Sequence, residues 1–157
     1  MPRILWSDSL ATGIDSIDAQ HQRIVHLLNA LQDRLEHGEL LLARDVLREL
    51  VEYKVYHCAH EEDLLKRTGY PLLRQHKRAH AAFLKRCAAF HQQTGIDGRT
   101  TREALTFLKG WMLKHIRGED IDYANYVSHA GNSRLNDTPA LPWHRRLLNR
   151  FLPRLGE

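Results

Sequence analysis

Only two cysteines, Cys58 and Cys87, occur in the 157 residues, and they form no C-x-x-C pair. Two isolated thiols make no disulfide framework; they suit a reducing compartment and read most simply as small buried side chains. No apolar run comes near the roughly 20 residues of a membrane-spanning helix. The first residues, Met1-Pro-Arg-Ile-Leu-Trp-Ser-Asp8, lack the apolar core of a secretory signal. A cytoplasmic protein is therefore expected. Strand-like alternation, internal repeats and low-complexity stretches are missing too, which argues against sheets and solenoids.

What is present is a balanced composition with one anomaly. Hydrophobic residues make up 43% and charged residues 27%, as in an ordinary globular domain long enough for a real core. The net charge of +4 is unevenly placed. Residues 131–157 hold five arginines (134, 145, 146, 150 and 154) against Asp137 and Glu157, while the first 130 residues carry 18 basic and 17 acidic side chains. The body is nearly neutral, so no nucleic-acid partner is expected, and the tail is basic. The anomaly is the presence of 11 histidines.

Four of the ligand-type residues form two i,i+4 pairs, His57/Glu61 and His76/His80, each inside a run that reads as helix. Residues four apart on a helix project from one face. Between the pairs, Thr68-Gly69-Tyr70-Pro71 supplies a glycine to end one helix and a proline to start the next. Two antiparallel helices with converging donors follow, which is the geometry of a metal site in a helical hairpin.

Taken in order, residues 1–15 read as an extended arm with Trp6 and Ile14 packed on the body. Asp15 or Ser16 is placed to cap a first helix, whose stripe is Ile17, Ile24, Leu28, Leu31 and Leu35 with His21 on it; His26 and His37 face solvent. A second helix over 41–67 places Leu47, Leu50, His57, Glu61, Leu64 and Leu65 on one face, flanked by His60 and Glu62. A third, from Pro71 to about Gln92, turns Leu72, Leu73, His76, His80, Phe83, Leu84 and Cys87 inward. Thr100-Thr-Arg-Glu103 reads as a capping box for a fourth helix with Leu105, Leu108, Trp111, Met112 and His115 on its stripe. His115 and Asp120 are five apart, about 140° on a regular helix. Both face inward only if the backbone loosens, which Gly118 permits. A short further helical turn is expected over 121–127.

The buried stripes thus carry His21, His57, Glu61, His76, His80, His115 and Asp120. Each unsatisfied buried polar group costs roughly 1–3 kcal/mol and each unpaired buried charge several, so seven together would exceed the roughly 5–15 kcal/mol stability of a domain. Bound metal turns that cost into binding energy. Five imidazoles and two carboxylates are too many for one zinc and suit two ions of intermediate hardness, such as iron, with the carboxylates bridging. The Glu-x-x-His element of carboxylate-rich, ferritin-type di-iron bundles occurs nowhere in the chain. Neutral imidazoles stabilise high-valent iron less than carboxylates do, which favours oxygen binding that stops short of bond cleavage.

In chain order, Ile17-Asp18-x-Gln20-His21, His57-x-x-x-Glu61-Glu62, Gly69-Tyr70-Pro71, His76-x-x-x-His80 and Trp111-x-x-x-His115-Ile116-x-x-x-Asp120 together resemble the bacterial hemerythrins, over roughly residues 5–130. The resemblance implies that His76, His80 and His115 hold one iron and His21 and His57 the other. Glu61 and Asp120, with an oxo or hydroxo oxygen, would bridge the two. It implies an open position on the second iron where oxygen binds, and Trp111, Met112 and Ile116 as the apolar pocket around it. Met112 stands where the family often has Leu, and Cys58 where an aromatic is common.

The expected fold is all-α: an up-down-up-down four-helix bundle over residues 1–130, with an N-terminal arm, and a basic amphipathic tail over 131–157. In that tail Trp143, Leu147, Leu148, Phe151, Leu152 and Leu155 repeat at helical spacing beside Arg146, Arg150 and Arg154, a pattern suited to an anionic membrane surface, a partner protein, or docking back on the bundle. The expected function is reversible binding of molecular oxygen at a non-haem centre of two iron ions, for transport, storage or sensing. The alternatives are an enzyme using the same centre to reduce peroxide or nitric oxide or to oxidise iron, and a sensor read out by a partner.

Overall fold

The computed structural model describes residues 1–93 and 98–129. Over these the chain is a four-helix bundle of α1 (Asp15–Glu36), α2 (Leu40–Thr68), α3 (Leu73–Gln93) and α4 (Gly98–His115), the last continuing through a π-helical turn (Ile116–Asp120) into α5 (Ile121–His129). Among the described residues there is no strand, and no helix is long and apolar enough to cross a membrane. The predicted division at residue 130 and the basic stretch 131–157 lie outside the described residues.

Each long helix packs on its sequence neighbours, and α4 closes the bundle against α1. Gly69 ends α2 in the left-handed region (φ 71°), and the N–H of Tyr70 bonds back to the Leu65 carbonyl at 3.0 Å. That closure satisfies a carbonyl of the last turn and reverses the chain within four residues.

Several helix ends differ from the sequence expectation. Neither Asp15 nor Ser16 caps α1: Asp15 is its first residue, after Ile14. Asp18 instead ties the preceding arm to the first turn, its carboxylate accepting from the Thr12 and Gly13 N–H groups at 2.7 and 3.0 Å and from the Thr12 hydroxyl at 2.8 Å. The fourth helix already includes Thr100, and Glu103 pairs with Arg99 at 3.2 Å instead of closing a capping box. Pro71 and Leu72 precede α3, so Leu72 is 46% exposed rather than inward.

The core falls into two apolar clusters. The larger includes Ile24, Leu28, Leu50, Phe83, Leu108 and Met112, and it also takes in Ile4 and Leu10 of the arm. The smaller joins Ile14, Ile17, Leu64, Leu65, Tyr70 and Tyr123. Following any helix from one cluster to the other crosses a layer of histidine and carboxylate: Ile17, His21, Ile24 on α1, and Met112, His115, Asp120, Tyr123 along the fourth helical run.

Candidate metal centre

All seven side chains singled out above are buried in that layer. His21, His57, Glu61 and Asp120 are 0% exposed, and His76, His80 and His115 are at most 3% exposed. Their donor atoms form two groups that share Glu61. One is Glu61 with His76, His80 and His115, the other Glu61 with His21, His57 and Asp120, with atoms in each within 4.8 Å of one another. The i,i+4 spacing delivers the pairs on α2 and α3 as expected. His115 and Asp120 converge because the chain between them winds as a π turn, whose wider pitch brings residues five apart onto one face.

The carboxylates lie between the groups. Glu61 Oε2 is 3.0 Å from His76 Nε2, 3.1 Å from His80 Nε2 and 3.8 Å from His57 Nε2. Asp120 turns Oδ1 to His115 and His76 (3.1 and 3.7 Å) and Oδ2 to His21 (3.3 Å). Carboxylates that face both groups are placed to bridge two cations.

A ring of further side chains aims the imidazoles. His57 Nδ1 donates to Gln20 Oε1 at 2.9 Å, His80 Nδ1 donates to Glu62 Oε1 at 3.0 Å, and His115 Nδ1 pairs with Glu119 Oε2. Committing Nδ1 outward fixes the tautomer that leaves Nε2 as a lone pair toward the centre. The Tyr123 hydroxyl donates to Glu61 Oε1 at 2.5 Å. Sequence reasoning assigned no role to Gln20, Glu119 or Tyr123. Their signal was position: Gln20 adjoins His21, Glu119 follows His115 by four, and Tyr123 follows Asp120 by three.

Electrostatics separate the groups. Burial opposes the charged form of Glu61, yet His57, His76 and His80 outweigh it and hold this carboxyl well below its usual range. Burial and Glu61 likewise oppose ionised Asp120, and His115 and His21 hold it low. His57 is pushed well below the ordinary imidazole value by burial and then by the charge of Lys54. For His80 and His115 burial acts in the same downward sense, but Cys58, Glu61 and Glu62 around the first and Asp120 and Glu119 around the second raise both.

The donor set fits bound metal. Of the buried side-chain nitrogen and oxygen atoms without a hydrogen-bond partner among the described residues, all but one belong to this layer: both ring nitrogens of His21, His57 Nε2 and both oxygens of Asp120. His80 Nε2 and His115 Nε2 face each other at 3.0 Å. With both Nδ1 atoms committed as donors, these are two lone pairs that repel unless a proton or cation lies between them. Two nitrogens bound at right angles to one ion, at about 2.1 Å each, would stand about this far apart.

Met112 and Ile116 are buried beside the layer (2% and 0% exposed). Trp111 is half-buried and covers it from outside, stacking on His115 with centroids 4.1 Å apart and on Phe83 at 3.9 Å.

A four-helix bundle whose core is interrupted by adjoining His/carboxylate groups defines a metal-binding helical protein. The Hemerythrin HHE cation binding domain matches residues 12–127. Similar chains include a bacteriohemerythrin of Stenotrophomonas maltophilia (36% identical over 151 residues, 96% of this chain and 99% of the relative) and one of Pseudomonas aeruginosa (34%, with the same coverage). A bacteriohemerythrin of Clostridium acetobutylicum is 31% identical over 126 residues, 76% of this chain and 97% of its own. The chain belongs to the hemerythrin family. The first two relatives leave only about six of the 157 residues unmatched, so the similarity runs beyond residue 130, farther than the motifs indicated.

Proposed function

We propose that this protein binds molecular oxygen reversibly at two non-haem iron ions, as a carrier, store or sensor rather than as an enzyme. The observation that carries this reading is the pair of donor groups joined through Glu61 and Asp120. In the proposal His76, His80 and His115 hold one ion, His21 and His57 the other, and the two carboxylates bridge. Two ferrous ions bound there would supply the two electrons that oxygen binding draws on.

The chain's own residues set the rest. Glu61 and Asp120 stay ionised at neutral pH because the surrounding imidazoles favour their charged forms. Tyr123 holds one oxygen of Glu61 by donating to it, leaving the other for the centre. Gln20, Glu62 and Glu119 fix ring orientation. Trp111, Met112 and Ile116 form the apolar wall of the oxygen pocket and keep water from the layer, which favours release of intact oxygen over side reactions. A cytoplasmic setting belongs to the same proposal, as does a surface-binding role for residues 131–157. Truncation after Ala130 followed by vesicle sedimentation tests that role, which requires a loss of vesicle binding.

Iron analysis tests the site. Wild type should carry two iron ions per chain, and Glu61→Ala and Asp120→Ala fewer than two. Full iron content in both variants would contradict the bridging roles.

A further inference from the structure

Among the described residues, one buried histidine stands outside the donor set: His60, which is 5% exposed. It follows His57 by three on α2, so the two rings leave neighbouring positions on one side of that helix. Between them, from α1, reaches the amide of Gln20, also 5% exposed. Its Oε1 lies 2.9 Å from His57 Nδ1 and its Nε2 3.1 Å from His60 Nδ1. A single amide thus joins a candidate ligand to a ring that belongs to neither donor group.

The chemistry of the three groups fixes their roles. A ligand imidazole offers Nε2 as a lone pair, so His57 Nδ1 carries the proton and needs an acceptor. Gln20 meets that need only with its oxygen toward His57, which turns its NH2 toward His60. The NH2 needs an acceptor in turn, and His60 Nδ1 supplies one as a lone pair. The opposite amide orientation would set NH2 against the His57 Nδ1 proton and oxygen against the His60 lone pair. It fits only if both rings exchange tautomers, which moves the His57 proton to Nε2 and closes that atom to a metal. Burial sharpens the choice, because a polar group out of water bears the full cost of an unmade hydrogen bond.

We propose that His60 is a positioning residue for the two-His half: through Gln20 it holds His57 in the tautomer that binds metal. It touches neither ion, and it extends the list of residues that set the site beyond those in contact with the donors. The inference rests on the two-iron reading above.

The test is the release of iron from anaerobically reduced, iron-loaded protein to a ferrous chelator, with iron content measured first. The variants are His60→Leu, which removes the acceptor, His60→Asn, whose side-chain oxygen can take the place of Nδ1, Gln20→Leu, and the Gln20→Leu/His60→Leu double variant. The more labile iron ion should leave His60→Leu about tenfold faster than wild type or more, the scale on which residues behind a metal ligand act. His60→Asn should stay within about threefold of wild type. The double variant should match Gln20→Leu within about twofold, because His60 acts only through that amide; independent packing effects would multiply instead. Release from His60→Leu within twofold of wild type, no recovery in His60→Asn, or effects that multiply in the double variant would overturn this role and leave the two-iron reading standing. Fewer than two iron ions in wild type would overturn that reading, and this role with it.

Discussion

In the half of the donor layer built on His76, His80 and His115, Glu62 and Glu119 tie down outer ring nitrogens, and the inner nitrogens lie 3.0–3.1 Å from Glu61 or from each other. In the half built on His21 and His57, neither His21 nitrogen nor His57 Nε2 meets hydrogen-bond geometry, and the adjoining Asp120 has only charge contacts, to His115 at 3.1 Å and His21 at 3.3 Å. In the first half two rings are fixed from outside by Glu62 and Glu119, while the inner nitrogens crowd Glu61 and one another. The second gathers its donors but leaves them unsatisfied, with only Gln20 fixing His57. The halves therefore differ in how their rings are aimed: two carboxylates fix the three-His half from outside, and Gln20 alone fixes the two-His half. In the proposed oxygen-binding reading, the half with fewer imidazoles is the one with room for an added ligand.

The largest effect that would expose this difference is removal of metal. If the unfolded chain binds iron poorly, occupancy at a thousandfold excess over Kd stabilises the fold by about 4 kcal/mol. For a chain of this size that corresponds to roughly 10 °C in melting temperature. Calorimetric melting of iron-loaded and chelator-treated protein checks it, and equal melting temperatures would mean that the buried donors are satisfied without metal.

Single-histidine variants sharpen the comparison. His21→Ala should leave one iron in the three-His half, whereas His76→Ala, which strips that half, should leave less than one. Iron analysis under matched loading distinguishes them, and equal stoichiometry would erase the proposed asymmetry.

Tyr123→Phe tests the carboxylate that both halves share. Loss of a hydrogen bond to a charged group costs about 1.5–3 kcal/mol, so melting should fall by about 5 °C, with iron retained but more readily chelated. Unchanged chelation kinetics would reduce Tyr123 to a packing residue.

The smallest change is expected at Met112, which lies in the water-excluding layer and holds no donor. Met112→Asn should speed autoxidation a few-fold while iron content stays near two. A matching loss of iron would place its effect in the donor layer instead.

The arrangement of the donors could be read in the sequence because it follows from helical periodicity. Histidines and carboxylates on apolar stripes, four apart or interrupted by Gly118, were bound to meet once four helices packed. Even the irregular turn was foreseeable, since His115 and Asp120 five residues apart cannot share a face on a regular helix. Helix ends were less legible, because side-chain competition decides them. Asp18 reaches back to Thr12 and Gly13 from inside α1, and Glu103 pairs with Arg99. Leu72 was placed inward by its apolar character, yet it falls in the turn before α3 and is exposed. Lys54 lay on the same stripe as Leu47, Leu50 and His57 but is polar, so apolar pattern alone passed over it. Tyr123 went unnoticed because its hydroxyl partner, Glu61, is 62 residues away in the chain.

The most direct test of oxygen binding is the visible absorption spectrum of iron-loaded, anaerobically reduced protein through one cycle of air and deoxygenation. The account predicts a nearly colourless reduced protein, an intense visible band on exposure to air, and loss of that band when oxygen is removed, repeatable without added reductant. Immediate oxidation of fully iron-loaded protein in air, with no band that deoxygenation reverses, would contradict it.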